Sequence, residues 1–308
     1  MRVFVAGATG AVGRRLIPQL IEAGHDVTAT TRSEAKLDLL RKLGAQPALV
    51  DGLDAAAVGQ AVAHAAPDAI VHQMTALSGP SDVRRFDRTF AATNELRTVG
   101  TDNLLAAARA AGVRRFVAQS YTGWPNERTG GPVKTEDDPL DPNPPKQQRQ
   151  TLAGIRHVER AVSEAPLDGV ALRYGTFYGP GASDALVELL RKRRMPIVGD
   201  GGAVWSMVHI DDAASAAVAA LERGRGIYNV VDDDPATAAE VLTTLAEIVG
   251  AKPPRHLPVW LARLAAGEVG VSILTQIRGS SNAKAKRDLG WAPKWSSWRD
   301  GFRHGLSE

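Results

Sequence analysis

The sequence predicts a doubly wound α/β fold, a parallel sheet flanked by helices, with a smaller cap toward the C-terminus. Three observations predict it. Short apolar runs that stop at turn residues alternate with segments of helical periodicity over the first two thirds of the chain, and such alternation builds βαβ units. A glycine-rich turn, Gly7-Ala8-Thr9-Gly10-Ala11-Val12-Gly13, joins the first strand to the first helix. After Gly181 the pattern turns irregular and rich in Pro and Gly as far as Pro258, which marks a separately packed unit.

Residues 3–6 form an apolar run that ends at glycine, as suits a strand buried on both faces. Residues 12–23 carry apolar side chains at helical spacing and stop at Gly24. A second strand over 27–30 leads to a helix over 34–43, closed by Gly44. A third strand (48–50), a helix (55–65), a fourth strand (69–71) and a long helix over 93–111 closed by Gly112 follow. Strands over 115–118 and 170–173, with a helix over 152–163 between them, complete the series.

Residues 125–150 break the rhythm. Pro139-Leu140-Asp141-Pro142-Asn143-Pro144-Pro145 cannot lie in a helix or a central strand, and the segment is too long for a routine connection. It reads as a mobile linker or a functional loop over a site; Lys134 and Lys146 lie within reach of that site on closure but are better read as surface lysines. The tail with Trp291, Trp295 and Trp298 is expected to pack back on the body. The expected domains are 1–172 with 205–231, and a cap of 173–204 with 232–308.

A chain of 308 residues can bury a sizeable core. Its composition, 44% hydrophobic and 23% charged, is that of a globular protein. The formal net charge is only +3, with both signs interspersed, so no nucleic-acid partner is expected. The absence of cysteine excludes disulfides, thiolate nucleophiles and Cys-based zinc sites. The N-terminal residues run straight into a strand, with no signal-peptide pattern, and no apolar stretch is long enough to span a bilayer. A cytoplasmic protein that touches neither membrane nor nucleic acid is therefore expected. The sequence does not set the oligomeric state, and a homodimer is allowed.

Glycine at 7, 10 and 13 permits a tight turn, close approach of the backbone to a pyrophosphate, and close helix–strand packing. The following helix presents free N–H groups and a partial positive charge to phosphate. With strand, turn, helix and second strand all within the first thirty residues, the turn reads as a Rossmann dinucleotide site formed by Gly7, Thr9, Gly10, Ala11, Val12 and Gly13. An NAD site usually ends its second strand with an acid for the ribose 2′-hydroxyl. Here the chain reads Thr30-Thr31-Arg32-Ser33, with no carboxylate before Glu34. Arg32 can pair with a 2′-phosphate and Thr31 or Ser33 can donate to it, so NADP(H) is expected over NAD(H).

Further pieces, in order, carry a resemblance over nearly the whole chain. They are Asp51-Gly52-Leu53-Asp54, Ile70-Val71-His72-Gln73-Met74-Thr75, Gly100-Thr101-Asp102-Asn103-Leu104-Leu105 and Arg115-Phe116-Val117-Ala118-Gln119-Ser120. Later come Leu172-Arg173-Tyr174-Gly175-Thr176-Phe177-Tyr178-Gly179-Pro180-Gly181, Val208-His209-Ile210-Asp211-Asp212 and Leu289-Gly290-Trp291-Ala292-Pro293. The chain resembles the extended or atypical short-chain dehydrogenases/reductases, the NAD-dependent epimerase/dehydratase-like proteins. The resemblance implies that Asp51 and Gly52 border the adenine and that Gln73, Met74 and Thr75 line the nicotinamide ribose. It places Tyr174, Gly175, Thr176 and Phe177 by the nicotinamide amide, and Gln119 at the end of the fifth strand. Where the family often has Asn three residues before Gly-Thr, this chain has Arg97, and Asn94 lies one turn earlier. His209, Asp211 and Asp212 read as a helix N-terminus with an Asp at or near the cap, and Arg191-Lys192-Arg193-Arg194 as a solvated helix end.

The family's catalytic apparatus is a Ser after the fifth strand and a Tyr-x-x-x-Lys pair whose Lys lowers the Tyr pKa. Here Thr151 and Ile155 occupy the Tyr and Lys positions. The four tyrosines, Tyr121, Tyr174, Tyr178 and Tyr228, are followed four residues on by Pro125, Tyr178, Ala182 and Asp232, so the pair exists nowhere in the chain. Ser120 and Tyr121 remain as candidate catalytic residues, Tyr121 as proton donor and Ser120 to polarise a carbonyl, although Tyr121 is equally read as a packing aromatic. Three functions stay open: an NADP(H)-dependent reductase of a carbonyl-bearing small molecule, a redox-neutral epimerase or isomerase, and a dinucleotide sensor that has lost catalysis. Retained aromatics (Tyr121, Trp124, Tyr178, Trp205) favour an enzyme.

Overall fold

A computed structural model of the chain describes residues 1–77 and 82–306, so Ser307 and Glu308 of the expected cap lie outside the described residues. Seven parallel strands form the central sheet: β1 (Arg2–Ala6), β2 (Asp26–Thr31), β3 (Gln46–Leu49), β4 (Ala69–His72), β5 (Arg115–Tyr121), β6 (Asp168–Tyr174) and β7 (Gly226–Val230). Their spatial order is β3-β2-β1-β4-β5-β6-β7. The chain winds outward from β1 to β3, then crosses to β4 and winds the other way. Between β1 and β4 the order reverses, and the carboxyl ends of these strands open a crevice where ligands of such sheets bind.

Strand β1 shows why the sheet is buried on both faces. Its side chains alternate: Val3 and Val5 enter one apolar layer with Leu16, Ile17 and Leu20. Phe4 and Ala6 enter the opposite layer with Ile70, Phe116 and Val158. The helix Ile210–Glu222 brings Ala213, Ala214 and Ala217, all fully buried, into the first layer. A third cluster, with Leu190, Ile197, Trp205, Leu242, Trp298 and Phe302, forms the core of the C-terminal region. β6 continues through Tyr174, two residues beyond the expected edge of the first domain, and Val204-Trp205 pairs with Ala236-Thr237 rather than with the sheet.

Three features differ from the expected elements. The long helix over 93–111 is instead Ala91–Glu95, a π-turn over Leu96–Gly100, and Thr101–Ala110. The π-turn inserts an extra residue and carries Arg97 inward, to 7% exposure. The helix Ile210–Glu222 is capped by His209 rather than by an Asp: its Nδ1 accepts from the Asp211 N–H. Asp212 instead accepts from the backbone N–H groups of Lys294 and Trp295, both at 2.9 Å, and so ties the tryptophan tail to the body. There Trp291 and Trp298 are buried.

The third difference is the 125–150 segment, which is fixed to its surroundings. Its Val133–Lys134 strand pairs with Gly279–Ser280. The Asn126 amide donates to the Arg278 and Gly279 carbonyls, Arg128 pairs with Asp141 at 3.1 Å, and Glu136 accepts from the Asn229 N–H at 2.6 Å. Lys134 is buried against Asp138 at 3.2 Å and does not reach the crevice.

Candidate active site

At the switch point, the 7–13 turn and the ends of β2 and β4 enclose a cleft of about 590 Å³. Gly7 needs its left-handed φ of +85°, and a Cβ there would stand 2.5 Å from the Gln73 backbone. Gly13 lies under the turn rather than in the cleft, and its added Cβ would meet the Ala8 carbonyl at 2.6 Å. The helix Ala11–Glu22 starts at Gly10 with no side-chain cap and no acid in its first turn. Its first N–H groups and dipole therefore face the cleft, which is the donor set a pyrophosphate requires. The residues fit the dinucleotide that the sequence implies.

Fifteen of the twenty sequence-predicted cofactor residues line this one cleft: Gly7, Thr9, Gly10, Ala11 and Val12 at the turn, Thr31, Arg32 and Ser33 after β2, Asp51 and Gly52 after β3, Gln73, Met74 and Thr75 after β4, and Gln119 and Phe177 at the far end. The sequence reading missed Arg14 and Lys36, which line the same cleft as Arg32. Their signal was present: Arg14 directly follows the last glycine of the turn, and Lys36 lies four residues past Arg32. Leu96, Leu77 and Ala182 are further missed lining residues. Gln119 closes the loop after β4 by donating from Nε2 to the Met74 carbonyl at 3.1 Å.

Four predicted cofactor residues besides Gly13 stand outside the lining. Tyr174 is buried, and its hydroxyl accepts from Gln73 Nε2 at 3.1 Å, so it holds the Gln73 amide. Gly175 packs against the Ser206 carbonyl, which a Cβ would approach to 2.6 Å. Thr176 holds its hydroxyl 3.3 Å from that of Tyr121. The structure turns Asn94 away: its amide donates to Thr151 Oγ1 at 3.1 Å, over a separate surface groove.

Past Gln119 and Phe177, at the far end of the cleft, lies the region where the family's proton relay would be. Ser120 is buried and donates to Glu159 Oε1 at 2.7 Å, so its hydroxyl serves a buried ion pair rather than the cleft. That pair joins Glu159 to Arg173 through two bonds of 2.7 and 2.8 Å. Thr151 donates to Asp87 at 2.7 Å and Ile155 is fully buried. The Tyr121 phenol, by contrast, faces Thr176. Burial pushes its pKa up, against the opposing pull of the Thr176 hydrogen bond and of the Arg97 charge. Tyr121 therefore stays protonated at neutral pH and can donate. Its ring also tilts against Trp124 at 6.5 Å. Among the described residues no cluster of His, Asp or Glu has the arrangement of a metal site, and no helix is long and apolar enough to cross a membrane.

The profile of the NAD dependent epimerase/dehydratase family matches residues 3–230. A 3-diazoavenalumate denitrifying reductase from a Streptomyces species is 42% identical over 98% of this chain and 99% of its own length. A 2-alkyl-3-oxoalkanoate reductase from Stenotrophomonas maltophilia is 31% identical over 82% of this chain and 76% of its own. The crystal structure of Thermus thermophilus UDP-glucose 4-epimerase in complex with NAD superposes with a TM-score of 0.75 at 26% identity, covering 99% of this chain and 97% of that one. The sequence, the sheet order and these relatives agree, and the chain belongs to the NAD dependent epimerase/dehydratase family.

Proposed function

We propose that the protein is an NADP(H)-dependent reductase of a small, carbonyl-bearing molecule, working in the cytoplasm with a cap formed by 173–204 and 232–308 over its substrate. The observation that carries the reading is the cationic lining of the cleft, to which Arg14, Arg32 and Lys36 all contribute, together with a second strand that ends without an acid. Three cations suit a 2′-phosphate, whereas a ribose hydroxyl calls for a carboxylate. When bound, NADPH supplies the hydride. The chain's part is to hold the pyrophosphate on the helix Ala11–Glu22, fix the ribose side with Gln73 and Thr75, and orient the acceptor. Tyr121 holds its proton on the phenolic oxygen, steadied by Thr176, and releases it to the alkoxide as the carbonyl is reduced.

A second reading is favoured by two observations, the absence of any Tyr-x-x-x-Lys pair and the 42% identical denitrifying reductase. An arenediazonium acceptor takes up a hydride at carbon while the C–N bond breaks and its electron pair leaves on dinitrogen. The leaving group departs neutral, so no proton donor is needed, and a site without the usual relay suffices for it. Incubation of the protein and NADPH with ketones, aldehydes and enones on one side, and arenediazonium salts on the other, separates the two. Cofactor oxidation with alcohol formation supports the first and cofactor oxidation with dinitrogen release the second. Binding of NADPH without oxidation by any acceptor leaves a sensor and overturns both.

A further inference from the structure

Beyond the pull of its charge on the Tyr121 pKa, Arg97 has no part in the chemistry described so far. It sits on the π-turn Leu96–Gly100, beside Leu96, which lines the cofactor cleft. Turns of this kind are rare and concentrate at functional sites. Arg97 is only 7% exposed, and its Nε is enclosed without a hydrogen-bond partner. Among the described residues its one hydrogen bond is long, from Nη1 to Asn94 Oδ1 at 3.5 Å, and it forms no ion pair.

The neighbours do not neutralise it. Glu159 is close enough for its charge to act on Arg97, but both its oxygens are taken, Oε1 by Arg173 and Ser120 and Oε2 by Arg173. Two guanidinium groups and one carboxylate leave one positive charge. His72 offers no counter-charge and adds no second cation: burial, with the Arg97 charge and against a hydrogen bond to the Leu96 backbone, lowers it to about 4, so its ring is neutral. Its ring nitrogens are also engaged, by the Met74 N–H and the Thr101 hydroxyl. An enclosed cation without a counter-ion is costly, and a residue placed only for packing would not carry one.

The geometry points to Arg97 as an anion-binding residue at the substrate end, receiving the carboxylate of a small aryl acid beside Tyr121. This rests on the reading that the substrate lies past the nicotinamide end of the cleft. A guanidinium fork matches a carboxylate, and a single excess charge with Glu159 nearby suits a monoanion better than a phosphate dianion. The aryl part is inferred from the apolar cluster that adjoins Tyr121, whose ring lies 6.5 Å from Trp124; Trp124 meets Phe86 edge-on at 5.2 Å, and Phe86 stacks on Phe90 at 4.5 Å.

Calorimetric titration of the full chain with benzoate and its neutral isostere benzamide, with and without saturating NADP+, tests the assignment. Benzoate is expected to bind about ten-fold or more tightly than benzamide, and Arg97→Met to remove that advantage while leaving NADP+ affinity unchanged. Because the cation is uncompensated, Arg97→Met should also melt at a higher temperature than the wild type without ligand, and benzoate should raise the melting temperature of the wild type alone. A merely structural arginine would give the reverse, a less stable Met variant. Equal affinities for benzoate and benzamide, no benzoate binding, or undiminished benzoate affinity in Arg97→Met would overturn the proposal. Benzoate binding through Arg97 in a protein that ignores NADP+ would sink the cofactor reading and keep this one.

Discussion

The two ends of the crevice are built by different means. At the pyrophosphate end the recognition surface is main chain: a turn that admits only glycine at position 7, and helix N–H groups with no side-chain cap. At the end proposed for the substrate it is side chains from separate elements, Tyr121 from β5 and Arg97 from a π-turn, resting on a buried pair of Arg173 from β6 and Glu159 from the helix Arg149–Glu164. The first end tolerates few substitutions and has one job. The second depends on which side chains stand there, and in this chain no Tyr is followed by Lys four residues on.

The largest effect expected at the side-chain end comes from Tyr121→Phe. General acid catalysis is worth about 100- to 10,000-fold, so turnover of a carbonyl acceptor should fall in that range, with cofactor affinity unchanged. Turnover of an arenediazonium acceptor should not fall at all. Steady-state rates on both acceptors decide the matter, and full carbonyl turnover in the Phe variant would remove Tyr121 from the mechanism.

The ion pair beneath that end should contribute to stability rather than chemistry. Glu159→Gln leaves Arg173 buried at 4% exposure without its counter-charge, and breaking such a pair costs about 3–5 kcal/mol. Urea unfolding measures the loss. A cost below about 1 kcal/mol, the value of a surface pair, would show that the pair is not the support of the substrate end.

Asp232, at the junction between β7 and the C-terminal core, gives a pH-dependent comparison. Burial first, then the charges of Asp234 and Asp233, raise its pKa to about 8 against the hydrogen bonds it accepts. Its folded-state pKa lies above the unfolded one. Folding therefore loses nothing at Asp232 below about pH 4 and loses progressively more as pH rises toward 8. Asp232→Asn should stabilise the protein by a few kcal/mol at pH 9 and by almost nothing at pH 4, on the order set by such a shift. Thermal melts at both pH values test this; equal shifts at the two would refute it.

The same contrast explains what was legible in the sequence. Parallel strands and the phosphate turn depend on local pattern, so residues 3–6 and the 7–13 glycines revealed the sheet and the cleft directly. The substrate end depends on contacts between residues far apart in the chain. Nothing near Ser120 shows that its hydroxyl meets Glu159, 39 residues on. Nothing near Arg97 shows that an extra residue in one helical turn buries it. The proline-rich segment misled for a related reason: its composition signals irregular backbone, but the partners that fix it, Asn229 and Gly279–Ser280, lie 93 or more residues away.

The smallest effect concerns the one place where the pyrophosphate end also uses side chains. Arg32 follows the second strand, where such sites usually carry an acid for a ribose hydroxyl, and Arg14 and Lys36 line the same cleft. With three cations present, removal of one leaves two to hold a 2′-phosphate, so Arg32→Ala should weaken NADPH by about ten-fold, or about 1.4 kcal/mol, and no further. NADH lacks the phosphate, and its affinity should stay the same. Arg32→Ala with Lys36→Ala should cost more than either alone, and the loss should shrink as salt rises, because these groups are exposed to solvent screening. Calorimetric titration of both cofactors at two ionic strengths separates the cases. If NADPH and NADH weaken together, Arg32 supports the turn itself and the discrimination must come from elsewhere. If only NADPH weakens, the side-chain rule of the substrate end extends to this corner of the cofactor site.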